Sequence, residues 1–349
     1  MLRATFRRHG VARACLCGAR GFRALVKRSA DEPAVIETFE EISDLPAPPV
    51  SDMNVTVKVT HSCLNYKDGM IVNGAAGVAT FPIVPGINLA GEVLFDVPFG
   101  PKRGTRVAVV NDQLGQRVDG GFAQFARVPS PWLTALPDSM ANDEAMAMGT
   151  AGFTAGQCLL HLERYGGLQP GSRVLVTGAC GGVGSLAVAL LAAGGHEVTA
   201  STGRAESDHA YLRALGATDV IGRLDAPAKP MERVAYDAAI DTIGGAGLAA
   251  VLARVAPRGA VAACGHAAGP AVPASILPFI LRGIRLLGVD SVNSPHEERD
   301  AVWTRLDRDL DRSALSSTLV DAALDDVPRL SDDILAGKIR GRILVHLDH

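Results

Sequence analysis

No apolar run in this chain is long enough to cross a bilayer; the run at residues 183–193 stops far short of the ~20 residues that a spanning helix needs. Charge of neither sign predominates. Thirty-four basic side chains stand against 37 acidic ones, a net of −3, which removes the electrostatic case for a nucleic-acid partner. Aromatic residues are few, 5% against 48% hydrophobic, and 349 residues with that ordinary α/β composition are enough for two domains with sizeable cores. Only six cysteines occur, at 15, 17, 63, 158, 180 and 264, without metal-type or disulfide-type spacing, a usage that suits a reducing compartment. No internal repeat is visible. Acidic residues are missing before Asp31, whereas arginines stand at 3, 7, 8, 13, 20 and 23. That acid-free composition predicts a targeting leader at residues 1–20, addressed to the mitochondrial matrix, with a plastid address or a cytoplasmic protein with a disordered leader as alternatives.

What the chain does have is organised around residues 173–204. Val174, Leu175 and Val176 predict a strand buried on both faces. Gly178, Gly181, Gly182 and Gly184 follow at once. Glycines there let backbone N–H groups at the start of the next helix approach a pyrophosphate, where the helix dipole also favours negative charge. Residues 185–193 are nearly all Ala, Leu and Val and predict a helix packed on both sides; a second strand follows at 196–200. The next loop, Ser201, Thr202, Gly203 and Arg204, offers hydroxyls and a cation where an NAD reader places an acidic residue, so NADP(H) is expected.

Around this centre two patterns alternate. Residues 22–136 show short β runs at 34–40, 54–62, 91–95, 106–110 and 121–128, punctuated by prolines and glycines, which predicts a compact, partly open β-barrel. Within it, Asn65, Tyr66, Lys67 and Asp68 beside the Pro/Gly-rich 81–91 are either a site wall or a solvated helix start. Helices that join the two domains are expected over 141–162, with Gly149, Thr150, Ala151 and Gly152 at their junction. Beyond 204, a helix (209–215) and strands at 219–221, 236–243, 259–265 and 284–289 give the doubly wound pattern, whose ligands collect at the carboxyl ends of the strands; Thr242 and Gly265 lie there. Arg223 either adds a second charge near the adenosine phosphate or is a solvated loop arginine. Residues 302–310, 327–336 and 343–347 read as helix, helix and strand. The basic turn Arg340, Gly341, Arg342 before that strand approaches the cofactor or caps the fold.

These residues carry a family resemblance. LNYKDGM (64–70), FPIVPGINLAGEV (81–93), GTAGFTAGQC (149–158), VTGACGGVGSLAVALL (176–191), STGR (201–204), DTIGG (241–245), AACG (262–265), PFILRGIRLLGVDS (278–291) and GRILV (341–345) resemble the zinc-independent medium-chain dehydrogenase/reductase superfamily, in its acrylyl-CoA reductase branch, often labelled quinone oxidoreductase. The resemblance implies an α/β fold in which a Rossmann doubly wound parallel sheet (146–302) is inserted into a GroES-like, partly open β-barrel domain (21–145 and 303–349). It implies NADPH over Cys180, Gly181, Gly182 and Val183, with Thr202, Gly203 and Arg204 on the 2′-phosphate and Tyr66 near the nicotinamide. Arg223, Thr242, Gly265, Leu286 and Arg342 complete the candidate cofactor set, and a homodimer joined near 286–292 is expected. The implied reaction is reduction of acrylyl-CoA to propionyl-CoA. Two departures stand out: residues 111–119 replace the relatives' Trp/Gly-rich loop with its Asn-His-Trp run, and Cys180 replaces a serine in the phosphate turn.

Hydride addition to the β-carbon of an electron-poor alkene builds charge on the thioester oxygen, which needs preorganised N–H or O–H groups and a proton donor. Tyr66 is the candidate catalytic residue, as donor or as anchor for the nicotinamide ribose; Asn65 and Asp68 hold the loop. A metal is not expected: Ile87, Asn88 and Leu89 stand where zinc enzymes of the superfamily have Gly-His-Glu, and His61 with Cys63 is only a pair on one strand face. The alternatives are a quinone or 2-alkenal reductase on the same scaffold and a non-catalytic NADPH-binding protein.

Overall fold

A computed structural model describes residues 21–45, 54–97, 100–110 and 112–347; the expected leader at 1–20 lies outside them. The chain opens with an antiparallel hairpin, β1 (Phe22–Val26) and β2 (Val35–Phe39). In β3 (Asn54–Leu64) Val55, Val57 and Val59 alternate into the barrel core, as a strand with one buried face requires. It leads into α1 (Tyr66–Val72), so the motif at 65–68 begins a helix. β4 (Asn88–Val93), β5 (Arg106–Val110), β6 (Phe125–Pro129) and β7 (Thr134–Ala135) complete the first half: β3, β4, β5 and β7 lie side by side, and β6 also pairs with β3.

α2 (Asn142–Gly166) carries the chain across to the second domain and kinks at Gly149, where φ is +46°. A Cβ at Gly149 would lie 2.6 Å from Cys63 Sγ and 3.0 Å from an Arg342 nitrogen, so both the backbone turn and the space require glycine. The second domain then alternates strand and helix: β8 (Arg173–Thr177), α3 (Gly182–Ala193), β9 (Glu197–Ser201), α4 (His209–Ala214), β10 (Asp219–Ile221), β11 (Tyr236–Asp241), α5 (Gly245–Leu252), β12 (Val255–Ala263), α6 (Leu277–Arg282) and β13 (Arg285–Gly288). All six strands are parallel in the order β10-β9-β8-β11-β12-β13. The order reverses between β8 and β11, and the crevice at their carboxyl ends is where such sheets take ligands. Residues 184–191 of α3 are all buried, which is why that helix shows no polar face.

The tail returns to the barrel. α7 (His296–Asp309) packs Trp303 against Phe153 of α2, with ring centroids 6.3 Å apart. α8 (Arg312–Ser317), β14 (Leu319–Ala323), α9 (Val327–Leu335) and β15 (Arg342–His346) follow, and β15 lies between β3, antiparallel, and β14, parallel. The expected boundaries at 145 and 303 fall inside α2 and α7. One apolar core runs from α2 into the parallel sheet, and a second fills the barrel, so these helices serve as shared walls.

Candidate functional site

The glycine-rich turn folds back on itself at the end of β8. Gly178 has φ +60°, and a Cβ there would stand 2.3 Å from Thr242 Oγ1; one on Gly184 would stand 2.3 Å from the Gly178 carbonyl. Gly181 differs. A Cβ there would meet no protein atom nearer than 3.3 Å, so the glycine leaves open a space that the fold does not use. The first N–H groups of α3 have no intrahelical partners and no side-chain cap, a terminus that suits a pyrophosphate. Burial pushes the Cys180 thiol up, and its carbonyl accepts from Gly341 N at 2.9 Å. Thr242 Oγ1 donates to Thr177 O at 2.9 Å, and a Cβ on Gly265 would overlap Thr242 O at 2.0 Å, so these residues from β8, β11 and β12 converge at the carboxyl ends of the strands.

The loop after β9 carries the charge. Arg204 is drawn inward: Nε to Asp208 Oδ2 at 2.8 Å, Nη1 to Gly337 O at 2.6 Å and Nη2 to Ile339 O at 3.1 Å. Arg223 lies flat across Gly203, where a Cβ would come within 2.8 Å of its Nε, and makes no ion pair among the described residues. Of the two expected cations, Arg223 is therefore the less neutralised.

In the barrel domain, α1 presents Tyr66 at its first position, 43% exposed. Beneath it is a buried polar knot. Asp68 accepts from Asn65 N at 2.8 Å, Asn65 Nδ2 at 3.0 Å and Ile87 N at 2.8 Å. Burial nevertheless pushes its carboxyl up to about 6. Asn88 Oδ1 takes three donors, Cys63 Sγ at 2.9 Å, Asn65 Nδ2 at 2.9 Å and Thr150 N at 3.1 Å. Arg342 closes the knot, with Nε on Ala147 O at 2.9 Å and Nη1 on Asn65 Oδ1 at 3.2 Å. It is 3% exposed, and its guanidinium backs onto Gly182, so it stands behind the glycine-rich turn, between the two domains. Lys67 is half-buried, and desolvation lowers its ammonium pKa against the charges of Asp68 and Asp290.

Leu286 lies on β13, the edge of the parallel sheet, 41% exposed. His61 turns to Thr60 and the His346 ring while Cys63 turns to Asn88, so that pair is split. Three features escaped the sequence reading: Thr150 in the knot, the bidentate pair of Asp112 with Arg299 at 2.8 and 3.0 Å, and Asp208 on Arg204. Only the departure of 111–119 from the relatives' loop pointed towards Asp112, since its partner lies 187 residues away.

Comparison with known proteins agrees with this geometry. The alcohol dehydrogenase GroES-like domain family matches residues 51–138, and the zinc-binding dehydrogenase family matches 182–308. The chain is 41% identical to an acrylyl-CoA reductase of Ruegeria pomeroyi, covering 94% of this chain and 99% of that one. It is 40% identical to a putative quinone oxidoreductase of Bacillus subtilis, over 93% of this chain and 99% of the relative; the structure of that protein with NAD bound matches at a TM-score of 0.88 over 94% and 100% of the two chains. A Salmonella enterica oxidoreductase in complex with NADP matches at a TM-score of 0.88 and 41% identity, over 93% and 100% of the chains.

Proposed function

From the premise that this chain belongs to the medium-chain dehydrogenase/reductase family, in its acrylyl-CoA reductase branch, we propose that it reduces the carbon–carbon double bond of acrylyl-CoA to give propionyl-CoA, with NADPH as reductant. The observation that carries this reading is the glycine-rich turn that leaves open space at Gly181, followed after β9 by a loop in which Arg223 lies against Gly203 without an ion pair among the described residues, together with a half-exposed Tyr66 at the start of α1. The residues present fit the dinucleotide. The N–H groups at the start of α3 would hold the pyrophosphate, and Thr202, Gly203, Arg204 and Arg223 would hold the 2′-phosphate. When bound, NADPH supplies the hydride for the β-carbon. Tyr66 then orients the thioester or delivers the proton to the α-carbon from its hydroxyl, held steady because α1 is capped by Asp68 and Asn65.

The test follows NADPH absorbance with acrylyl-CoA, crotonyl-CoA and a quinone in parallel. We expect acrylyl-CoA to be turned over fastest and Tyr66→Phe to lower kcat by roughly 100-fold, as loss of a positioned proton donor does. Turnover of the quinone alone would move the reading to a quinone reductase. Saturable NADPH binding with no turnover of any acceptor would make the protein a binder.

We also propose a homodimer through the β13 edge, where Val272, Ile276, Ile280, Leu281 and Leu286 leave an apolar surface exposed; light scattering of Ile280→Asp should then report a monomer. For location we propose the mitochondrial matrix, on the Arg-rich, acid-free composition of residues 1–20. A fluorescent fusion that loses its mitochondrial signal when they are deleted checks it.

A further inference from the structure

The basic turn between α9 and β15 contains two arginines, and only Arg342 has a place in the account above. Arg340 reaches from the barrel side onto the parallel-sheet domain. Its guanidinium carbon stands 4.7 Å above the centre of the Tyr211 ring, and Nη1 is 3.5 Å from Asp208 Oδ1. The other oxygen of Asp208 holds Arg204 Nε at 2.8 Å. A single carboxylate, its side chain 9% exposed, thus sits between one arginine from each domain. The turn is also fixed by its backbone. Arg204 donates to the carbonyls of Gly337 and Ile339, and Gly341 N donates to the carbonyl of Cys180 in the glycine-rich turn. Tyr211, on α4, anchors the assembly from below by donating to Ser185 Oγ at 2.9 Å.

The charges do not balance within this cluster. Arg204 and Arg340 share one acidic side chain, Asp208, and Arg223 against Gly203 has no ion pair among the described residues, which leaves about two positive charges, the charge of a phosphate monoester near neutral pH. Arg340 is also the least committed of those bound to Asp208. Its ion pair is long, its side chain is 53% exposed, and stacking on Tyr211 holds the plane of the guanidinium without consuming its N–H donors.

We propose that Arg340 is a specificity-determining residue for the dinucleotide 2′-phosphate, gripping it from the barrel domain while Arg204, Arg223 and Thr202 hold it from the other. The phosphate then adds to the contacts by which Arg204 and Asp208 already hold the α9–β15 turn to the loop after β9, and the two domains are drawn together further by the one group that NADPH has and NADH lacks. This rests on the reading of that loop as an NADPH site.

The experiment measures dissociation constants for NADPH, NADH, 2′,5′-ADP and 5′-AMP with the wild-type protein, Arg340→Gln, Arg340→Lys and Arg223→Ala, and records the Tm of each without ligand. Arg340→Gln should weaken NADPH and 2′,5′-ADP about ten-fold and leave NADH and 5′-AMP unchanged, as loss of one charge-assisted phosphate contact does; Arg340→Lys should fall between. Equal weakening of both nucleotides together with a lower Tm would overturn the proposal, since Arg340 would then be only a cap on Tyr211 and Asp208. So would unchanged affinities for all four ligands. If the wild-type protein binds NADPH and NADH alike and Arg223→Ala changes neither, the NADPH reading itself fails, and that outcome is distinct from a failure confined to Arg340.

Discussion

Two helix N-termini lie on either side of Arg342, and they are finished in opposite ways. At α3 the turn is made of glycines, no side chain caps it, and the space beside Gly181 is left open. At α1 the terminus is filled: Asp68 takes the Asn65 N–H, and Asn88 and Arg342 hold the Asn65 side chain in turn. An uncapped terminus with bare amides is a receptor for an anion. A saturated one is a mount, and what it holds still is Tyr66. On the function proposed above, the difference separates the binding of the cofactor from the placing of the group that meets the substrate.

The contrast breaks most severely at Gly184. Its replacement by Ala puts a Cβ 2.3 Å from a backbone carbonyl, so NADPH binding should vanish and stability should fall by about 3 kcal/mol, read by calorimetry. Gly181→Ala sharpens the point. Its φ of −80° and its open surroundings suit Ala, so Tm should hold while NADPH binds about ten-fold more weakly; equal damage from both substitutions would mean that the turn is only a packing element.

On the filled side, Arg342→Met strands two acceptors, Asn65 Oδ1 and Ala147 O, and should cost about 2 kcal/mol in urea unfolding. Because the knot positions Tyr66 and the phosphate turn has its own glycines, kcat should drop more than NADPH affinity. The reverse split would place Arg342 on the cofactor.

The smallest effect is one of pH. The carboxyl of Asp68 is raised from 3.8 to about 6 by burial, so the folded protein holds that proton more tightly than the unfolded chain does. The stability this contributes is fully present below about 3.8 and is lost as pH rises through about 6. Asp68→Asn, which cannot ionise, should therefore gain Tm relative to the wild-type protein between pH 4 and pH 6. A constant Tm difference across that window would show that the group is unshifted.

Much of this was legible in the chain itself. The β8, turn, α3, β9 unit follows from neighbours in sequence: an apolar run, glycines at close spacing and a helix without a polar face. The kink at Gly149 falls within the helix junction expected over 149–152. β14 was missed, because its exposed, alternating residues gain strand structure only from pairing with β15, about 20 residues further on. The knot was missed as a unit because Cys63, Asn88, Thr150 and Arg342 come from four separate segments, and a buried hydrogen bond leaves no periodic signal.

By itself the sequence determined the fold class, the glycine-rich turn between β8 and α3 and the cofactor class, since strand periodicity, glycine backbone freedom and the residue types in one short loop all act over a few neighbouring residues. Tertiary structure alone decided which cation is neutralised, that Arg342 faces inward behind the turn, and that Arg340 crosses to Asp208. Those outcomes depend on which distant groups compete for the same donors, and that competition is settled only when the two domains are packed together.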